Sequence, residues 1–401
     1  MIEYGDAVRE VIANARPVPG ETVPLAKARG RTLARDIRAA SNIPPFAKAT
    51  MDGYAVRAAD TAPAAGGGSV ELRVTEDLPA GRLSRRPLGP GLAARIMTGA
   101  PLPKAANAVV MVEDTERAGD GVRVRRAVRA GDNIGQAGED VAKGDLVLEK
   151  GALIGPAEVG MLAALGRATV RVARRPRVAV VATGDEIVEP GERLRPGQVR
   201  NANGPALTAA AEQAGAAASY LGIARDRSAS LGRRIARAGT ADIFLLSGGV
   251  SVGDYDLVRD ELRAAGVRPV FWQVRIKPGK PVFFGVRGRQ LVFGLPGNPT
   301  SAMVTFLLFV RPALDRMLGR KSPGLRAGKA VLGQALTLKP GRTQFLRAVA
   351  AGDGAELRVL PYPDQQSGVL RSMVRSRVLI VAGAECSRLE EGQAVDVLFI
   401  D

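Results

Sequence analysis

The sequence predicts a multidomain α/β protein: a mostly parallel sheet with helices on both faces, preceded by a helical stretch and framed by two β-rich regions. Three observations carry this. From residue 176 to 319, strand-like runs such as "RVAVVAT" and "DIFLLS" alternate with segments of helical spacing. From about 39 to 139, short Val/Leu-rich runs are split by Gly and Pro, as in "SVELRVTEDLPAGR". After "RKSPGLRAG" at 320–328, short strands return. A chain of 401 residues is also too long for one ordinary core.

The elements follow in order. Residues 1–38 show helical spacing, with Val8, Val11 and Ile12 on one side and Leu25, Leu33 and Ile37 later. In the β-rich region, "APAAGGGSV" at 62–70 reads as a flexible exposed turn, the Asp52-Gly53 pair as a type I′ hairpin turn, and "RIMTGAPLP" at 95–103 as a strand and turn. "GPAEVGMLAALG" at 155–166 predicts a short amphipathic helix. Beyond it come "RVAVVAT", a helix at 204–214, "ASYLGIA", a helix at 228–238, "DIFLLS", a helix from 254, "VFWQV", "PVFFGV", "LVFGL" and a helix at 299–318. The last region offers "AVLGQALTL", "QFLRAVAA", "AELRVLP", "VLIVAG" and "AVDVLFI", the pattern of a small β-barrel.

Composition narrows the chemistry. The chain has no histidine, which excludes Ser-His-Asp triads, imidazole metal ligands and His acid–base catalysis. Its one cysteine, Cys386, excludes intrachain disulfides and multi-cysteine zinc sites. Carboxylates, lysine, arginine, hydroxyls, backbone amides or a hard metal must do the work. A net charge of +17 suits an anionic partner, but the arginines are scattered and few aromatics lie near them, so small anions are expected rather than nucleic acid. The longest apolar run, "VTFLLFV" at 304–310, is well short of the roughly 20 residues a membrane span needs. "MIEYGDAVRE" lacks a basic segment followed by an apolar one, so a cytoplasmic protein is expected.

In open parallel sheets, ligands bind beyond the C-terminal ends of the strands, and three loops there carry chemistry. "TGDEI" brings Thr183, Asp185 and Glu186; "SGGVSVGDYD" brings Ser247, Gly248, Gly249, Ser251, Asp254 and Asp256; "PGNPTSA" brings Pro296, Asn298 and Pro299. Paired glycines let backbone amides approach an oxyanion, and a following helix N-terminus favours phosphate. Neighbouring carboxylates would repel that phosphate unless Mg²⁺ sits between them, with Glu186 as a third hard ligand. Simpler accounts are a tight turn, an Asp254 cap and a solvated Asp256. "IKPGKP" sets Lys277 and Lys280 around a turn suited to an oxyanion, or merely exposed on a hairpin bend. Asn298 reads as a helix cap ahead of Pro299.

Taken together, "MDGYAV", "RIMTGAPLP", "VVMVEDT", "GEDV", "VVATGDEIV", "NANGPAL", "LLSGGVSVGDYD", "IKPGKPVFFG", "FGLPGNPTSA" and "GRTQFLRA" resemble one family across nearly the whole chain. It is the MoeA family of molybdopterin molybdenumtransferases, related to the C-terminal region of gephyrin. The resemblance implies an elongated helical linking part from 21–38 and 140–175, a β-rich domain at 39–139 carrying "MDGYA", a molybdopterin-binding α/β domain from 1–20 and 176–319, and a barrel-like domain at 320–401. It also implies a homodimer, with Asp52 and Thr98 reaching in from the partner subunit, and the insertion of molybdenum from molybdate into adenylylated molybdopterin, with release of AMP and with Mg²⁺ assisting. By match to the motifs, Ser247, Gly248, Gly249 and Ser251 contact phosphate or pterin, and Glu186 and Asp256 serve the metal. Asp140 and Asp226 are carried over from "GED" and "ARD". Lys277, Lys280, Arg347 and Ser367 are expected on the molybdate side. A molybdopterin adenylyltransferase and molybdoenzyme apoproteins are the partner proteins this implies. Two other functions remain open: a molybdopterin adenylyltransferase itself, which would lack the flanking β domains and "MDGYA", and a non-catalytic anion-binding scaffold.

Overall fold

A computed structural model of the chain describes residues 1–249, 255–351 and 357–400. Ser251 and Asp254 lie outside the described residues, and of Asp256 only the backbone is described. The chain divides into two compact units, one of 1–34, 151–154 and 170–401 and the other of 35–150 and 155–169.

The first unit holds the α/β layer. In chain order its elements are α1 (Tyr4–Asn14), β1 (Arg177–Thr183), α2 (Asn203–Gln213), β2 (Ala217–Ala224), α3 (Ser228–Arg237), β3 (Ile243–Ser247), α4 (Tyr255–Ala264), β4 (Arg268–Trp272), β5 (Phe283–Arg287), β6 (Gln290–Leu295) and α5 (Pro299–Thr305). The sheet order is β2-β1-β3-β6-β5-β4, parallel across its first four strands, with β5 antiparallel to both β6 and β4. Strands β3 and β6 are buried along their whole length, as a sheet covered on both faces requires. Alternate side chains serve opposite cores. Val178, Val180, Ile243, Leu245, Leu291 and Phe293 join one cluster with α1 and α2. Ala179, Val181, Phe244, Leu246 and Val292 join the other with α3 and α4. From β1 the chain crosses to β2 on one side and then to β3 on the other, so the strand order reverses beside the C-terminal end of β1.

The helix expected over 299–318 is a continuous helical run with one wide turn at Phe306–Val310, followed by Arg311–Met317. Pro312 explains the wide turn: it has no N–H to give and its ring crowds the carbonyl one turn back. Helical spacing over 25–37 also gives way to a short 3₁₀ turn at Leu25–Lys27 and a strand at Ile37–Arg38. Pro24 and the left-handed Gly30 interrupt that pattern before a helix can propagate.

Five strands, β7 (Ala327–Leu332), β8 (Thr343–Ala351), β9 (Arg358–Pro361), β10 (Val378–Ala382) and β11 (Ala394–Phe399), close into a barrel in the order β8-β9-β7-β11-β10 and back to β8. Leu332, Leu346, Ile380 and Val397 fill its interior. Phe345 and Leu379 face outward into the α/β core, and Tyr4 of α1 meets Phe345 edge-on at a 4.9 Å ring separation. Burial there pushes the Tyr4 hydroxyl up to about 12.

The second unit is built on a six-stranded sheet in the order Ala108–Met111, Gly53–Val56, Leu92–Ile96, Val70–Leu78, Gly121–Val124 and Thr115–Ala118. Gly53 is not a hairpin turn residue. It lies inside a strand, paired with Ile96 on one side and Met111 on the other, and a Cβ there would sit 1.9 Å from the Val110 carbonyl oxygen. Close backbone approach, invisible to local turn rules, is why this position is glycine. The turn expected at 62–70 is in part helical: Ala58–Gly67 winds into short helical turns around the buried Thr61 and Ala64.

Candidate functional site

The loops after β1, β2, β3 and β6 meet at a cavity of about 550 Å³ beside the point where strand order reverses, where open α/β sheets place their ligands. Of the residues expected from sequence, Thr183, Glu186, Asp226, Ser247, Gly248, Gly249, Pro296, Asn298 and Pro299 line it. Arg200, Asn201, Asn203 and Pro281 line it too.

Arg225 shapes the first loop. Its guanidinium donates to the carbonyls of Gly184 (3.3 Å), Asp185 (3.0 Å) and Ile187 (3.0 Å), curling "TGDEI" around itself. Asp185 and Asp226 tie neighbouring loops by exchanging backbone N–H to carboxylate bonds of 3.3 Å. Glu186 folds back over Gly184, whose φ of +142° only glycine adopts readily.

The glycine pair is built for contact with β1 more than as an open cradle. Gly248 (φ +97°) and Gly249 (φ +65°) press on Thr183, and a Cβ on Gly248 would lie 2.6 Å from its carbonyl oxygen. The Gly248 N–H donates to the Leu295 carbonyl at 3.1 Å. Ser247, expected as a phosphate donor, spends its hydroxyl on the Pro296 carbonyl and receives the Asn203 amide at 2.8 Å. Thr183 Oγ1 is buried against the glycines and has no hydrogen-bond partner among the described residues.

Asn298 occupies the cap position of α5 but makes no side-chain cap bond; its amide donates instead to Ser367 Oγ at 2.9 Å. Thr300 adds bonds to the Ser367 and Val369 carbonyls, so the 364–369 segment docks on the start of α5. Arg347, expected on the molybdate side, is 1% exposed. It donates to Ser372 Oγ (3.0 Å) and to the carbonyls of Asp364 and Gln366 (3.1 Å each), holding that segment from beneath, and burial lowers its pKa. A buried guanidinium must satisfy its donors within the protein, and this one does so on backbone carbonyls.

Lys277 and Lys280 are both exposed, next to the cavity-lining Pro281. They do not flank a simple hairpin bend: Ile276–Lys277 pairs in parallel with Thr343–Gln344 of β8, and a Cβ on Gly279 would lie 2.3 Å from Thr305 Cγ2 in α5. Neither lysine has an ion pair among the described residues. Nor, among the described residues, do three His, Cys, Asp or Glu side chains converge on a metal position; Glu186 and Asp226 are the carboxylates in the described cavity wall.

Asp52, Thr98 and Asp140 belong to the second unit. Asp52 Oδ1 receives both the backbone N–H and the hydroxyl of Thr98 at 2.7 Å each. Those bonds, the backbone one first, hold the Asp52 carboxyl below its ordinary range. The depressed value means the Thr98 contacts persist above the usual carboxylate titration and are lost only as pH falls through the lower one. Carbon-detected NMR of Thr98→Ala is expected to show the Asp52 midpoint moving part of the way up, because the backbone donor remains. An unmoved midpoint would remove the hydroxyl from the account. Asp140 is exposed, and its N–H donates to the Ile43 carbonyl.

Three family models tile the chain: "MoeA N-terminal region (domain I and II)" over 2–166, "Probable molybdopterin binding domain" over 179–316, and "MoeA C-terminal region (domain IV)" over 329–400. Molybdopterin molybdenumtransferase 2 of Mycobacterium tuberculosis is 42% identical over 86% of this chain and 86% of its own length. The chain belongs to the MoeA family. Molybdopterin molybdenumtransferase of Staphylococcus aureus is 33% identical over all of this chain and 96% of its own. A crystal structure of a molybdopterin biosynthesis MoeA protein from Pyrococcus horikoshii OT3 covers all of both chains at 32% identity, with a TM-score of 0.86. Its agreement with the fold extends through the α/β layer, the β-rich unit and the barrel.

Asn201, Asn203, Arg200 and Arg225 were missed as site residues by sequence reasoning. The one signal was the paired asparagines of "NANGPAL", at the mouth of a helix in a strand-to-helix crossover.

Proposed function

We propose that this protein is a molybdopterin molybdenumtransferase that takes adenylylated molybdopterin and molybdate, inserts molybdenum at the dithiolene and releases AMP. The observation that carries the reading is the convergence of four strand-end loops on one cavity, in a chain whose MoeA relatives match it end to end. The α/β cavity receives the pterin and phosphate. Glu186 and Asp256 would supply hard oxygens to hold Mg²⁺ beside the substrate phosphate. The chemistry such an ion would supply is neutralisation of charge on that phosphate. Lys277, Lys280 and Ser367 attract and orient molybdate, and Arg347 keeps the Ser367 segment in place. Asp52, Thr98 and Asp140 complete the substrate contacts in a cytoplasmic homodimer, which a solution mass measurement tests. Reaction with a separate adenylyltransferase upstream and a molybdoenzyme apoprotein downstream follows from the substrates themselves. No helix of the described residues is long and apolar enough to cross a membrane.

The deciding experiment supplies purified protein with adenylylated molybdopterin and measures AMP with and without molybdate. Molybdate-dependent AMP release is expected. Synthesis of adenylylated molybdopterin from ATP would make the protein an adenylyltransferase, and tight binding without turnover would make it a scaffold. Lys280→Ala is expected to raise the molybdate concentration for half-maximal rate roughly tenfold or more, since a charge-assisted hydrogen bond contributes about 1.5–3 kcal/mol. Turnover at saturating molybdate should survive. An unchanged molybdate dependence would return Lys280 to an exposed turn.

A further inference from the structure

Asn203 stands at the start of α2, lines the cavity and touches two of its loops at once. Its Nδ2 lies 2.8 Å from Ser247 Oγ and 2.7 Å from the Gly297 carbonyl oxygen. A carbonyl can only accept, so the atom facing Gly297 is the amide nitrogen and the orientation of the side chain is determined. With Nδ2 given to Ser247, the Ser247 hydroxyl passes its own hydrogen to the Pro296 carbonyl at 3.2 Å. The chain of donors therefore runs in one direction, from Asn203 through Ser247 to Pro296, and fixes the β3 loop against the β6 loop. Gly248 completes the clasp through the Leu295 carbonyl.

Both amide hydrogens being committed, Asn203 retains one polar capacity, the acceptor Oδ1, which receives no hydrogen bond among the described residues. We infer that Asn203 is a substrate-positioning residue whose locked Oδ1 accepts an N–H from an aminated heteroaromatic ring of the ligand. The inference rests on the molybdopterin reading, since adenylylated molybdopterin carries two such rings, a pterin and an adenine. An amide held from both hydrogens loses little freedom on binding, so its acceptor selects the ring orientation at low entropic cost.

The test compares wild type, Asn203→Ala and Asn203→Asp in binding a simple pterin and AMP separately, with KM and kcat for the full substrate and thermal midpoints measured alongside. Asn203→Ala should bind one of the two ring probes roughly three- to tenfold more weakly, the scale of one neutral hydrogen bond, and the other unchanged. KM for the full substrate should rise with it. Which probe weakens identifies the ring. Asn203→Asp loses both donated hydrogens and sets a carboxylate oxygen against the Gly297 carbonyl, so it should lose the lock and weaken the same ring probe as alanine does. Equal weakening of both probes, unchanged affinity for both, or full affinity for both in the aspartate variant would overturn the assignment. If the alanine variant does not fold, the aspartate variant decides alone: weakening of one ring probe and not the other upholds the locked amide, and unchanged binding of both refutes it. Wild-type protein that binds neither ring would instead sink the molybdopterin reading and leave nothing for Asn203 to position.

Discussion

Gly248→Ala is expected to lower turnover by about a hundredfold or more while leaving the protein folded. Two independent costs meet at this position. A φ of +97° lies outside the left-handed region that L residues tolerate, which costs on the order of 1–3 kcal/mol. The new methyl would also stand 2.6 Å from the Thr183 carbonyl oxygen and 2.8 Å from Thr183 Oγ1. The first of these is backbone at the end of a central strand buried on both sides, so β1 cannot yield and the loop must. Displacing the loop breaks the Gly248–Leu295 bond and shifts Ser247 away from Asn203 and Pro296. A misplacement approaching 1 Å at a reacting site is enough for a loss of about a hundredfold. Gly288→Ala is the control: φ there is +59°, nothing lies within 4 Å of the added Cβ, and the residue sits between β5 and β6 at the far end of the sheet from the cavity loops. That variant should lose a little stability and keep its turnover. Wild-type turnover in Gly248→Ala would show that the loop is not held by Thr183.

The contrast between those two glycines also marks what the sequence could and could not disclose. "RVAVVAT", "DIFLLS" and "LVFGL" are continuous apolar runs because a doubly covered parallel sheet buries both faces, and their loops are recognisable because chemistry-bearing residues follow each strand end. The cavity was legible to that extent. Roles inside it were not, because they depend on partners far away in the chain. Ser247 looks like a phosphate donor until Pro296 and Asn203 are seen to occupy its hydroxyl. Asn298 looks like a cap until Ser367, 69 residues later, takes its amide. Arg347 has the chemistry of an oxyanion ligand, yet the barrel closes over it and turns its donors onto the segment that carries Ser367. Gly53 obeys the local rule for a hairpin turn, but the decisive atom is the Val110 carbonyl of a neighbouring strand. Periodicity reports which way a side chain faces. It carries no information about which distant group will compete for a hydrogen bond.

Asp315→Ala is expected to be the most destabilising single change away from the cavity, by about 3–5 kcal/mol. Its carboxylate is 1% exposed and receives the Arg311 Nε at 3.0 Å, an Arg320 guanidinium nitrogen, and the Gly324 N–H at 3.0 Å. Removing it takes their shared carboxylate from two guanidinium groups whose side chains are only 16% and 15% exposed, so the loss is that of a largely buried ion-pair partner, not of a surface ion pair. The thermal midpoint should fall by on the order of 5–10 °C. Asp315→Asn keeps an acceptor for Gly324 and should lose less. The location gives the effect a second readout. Arg320 and Gly324 belong to the segment leading from the last helix of the α/β layer into β7, and the same barrel carries the 364–369 segment docked on Asn298 and Thr300. Loosening that entry should therefore weaken substrate binding at temperatures below the unfolding midpoint, with KM rising before kcat falls. Equilibrium denaturation within 1 kcal/mol of wild type would show that Arg311 and Arg320 find other partners, and that the carboxylate is replaceable.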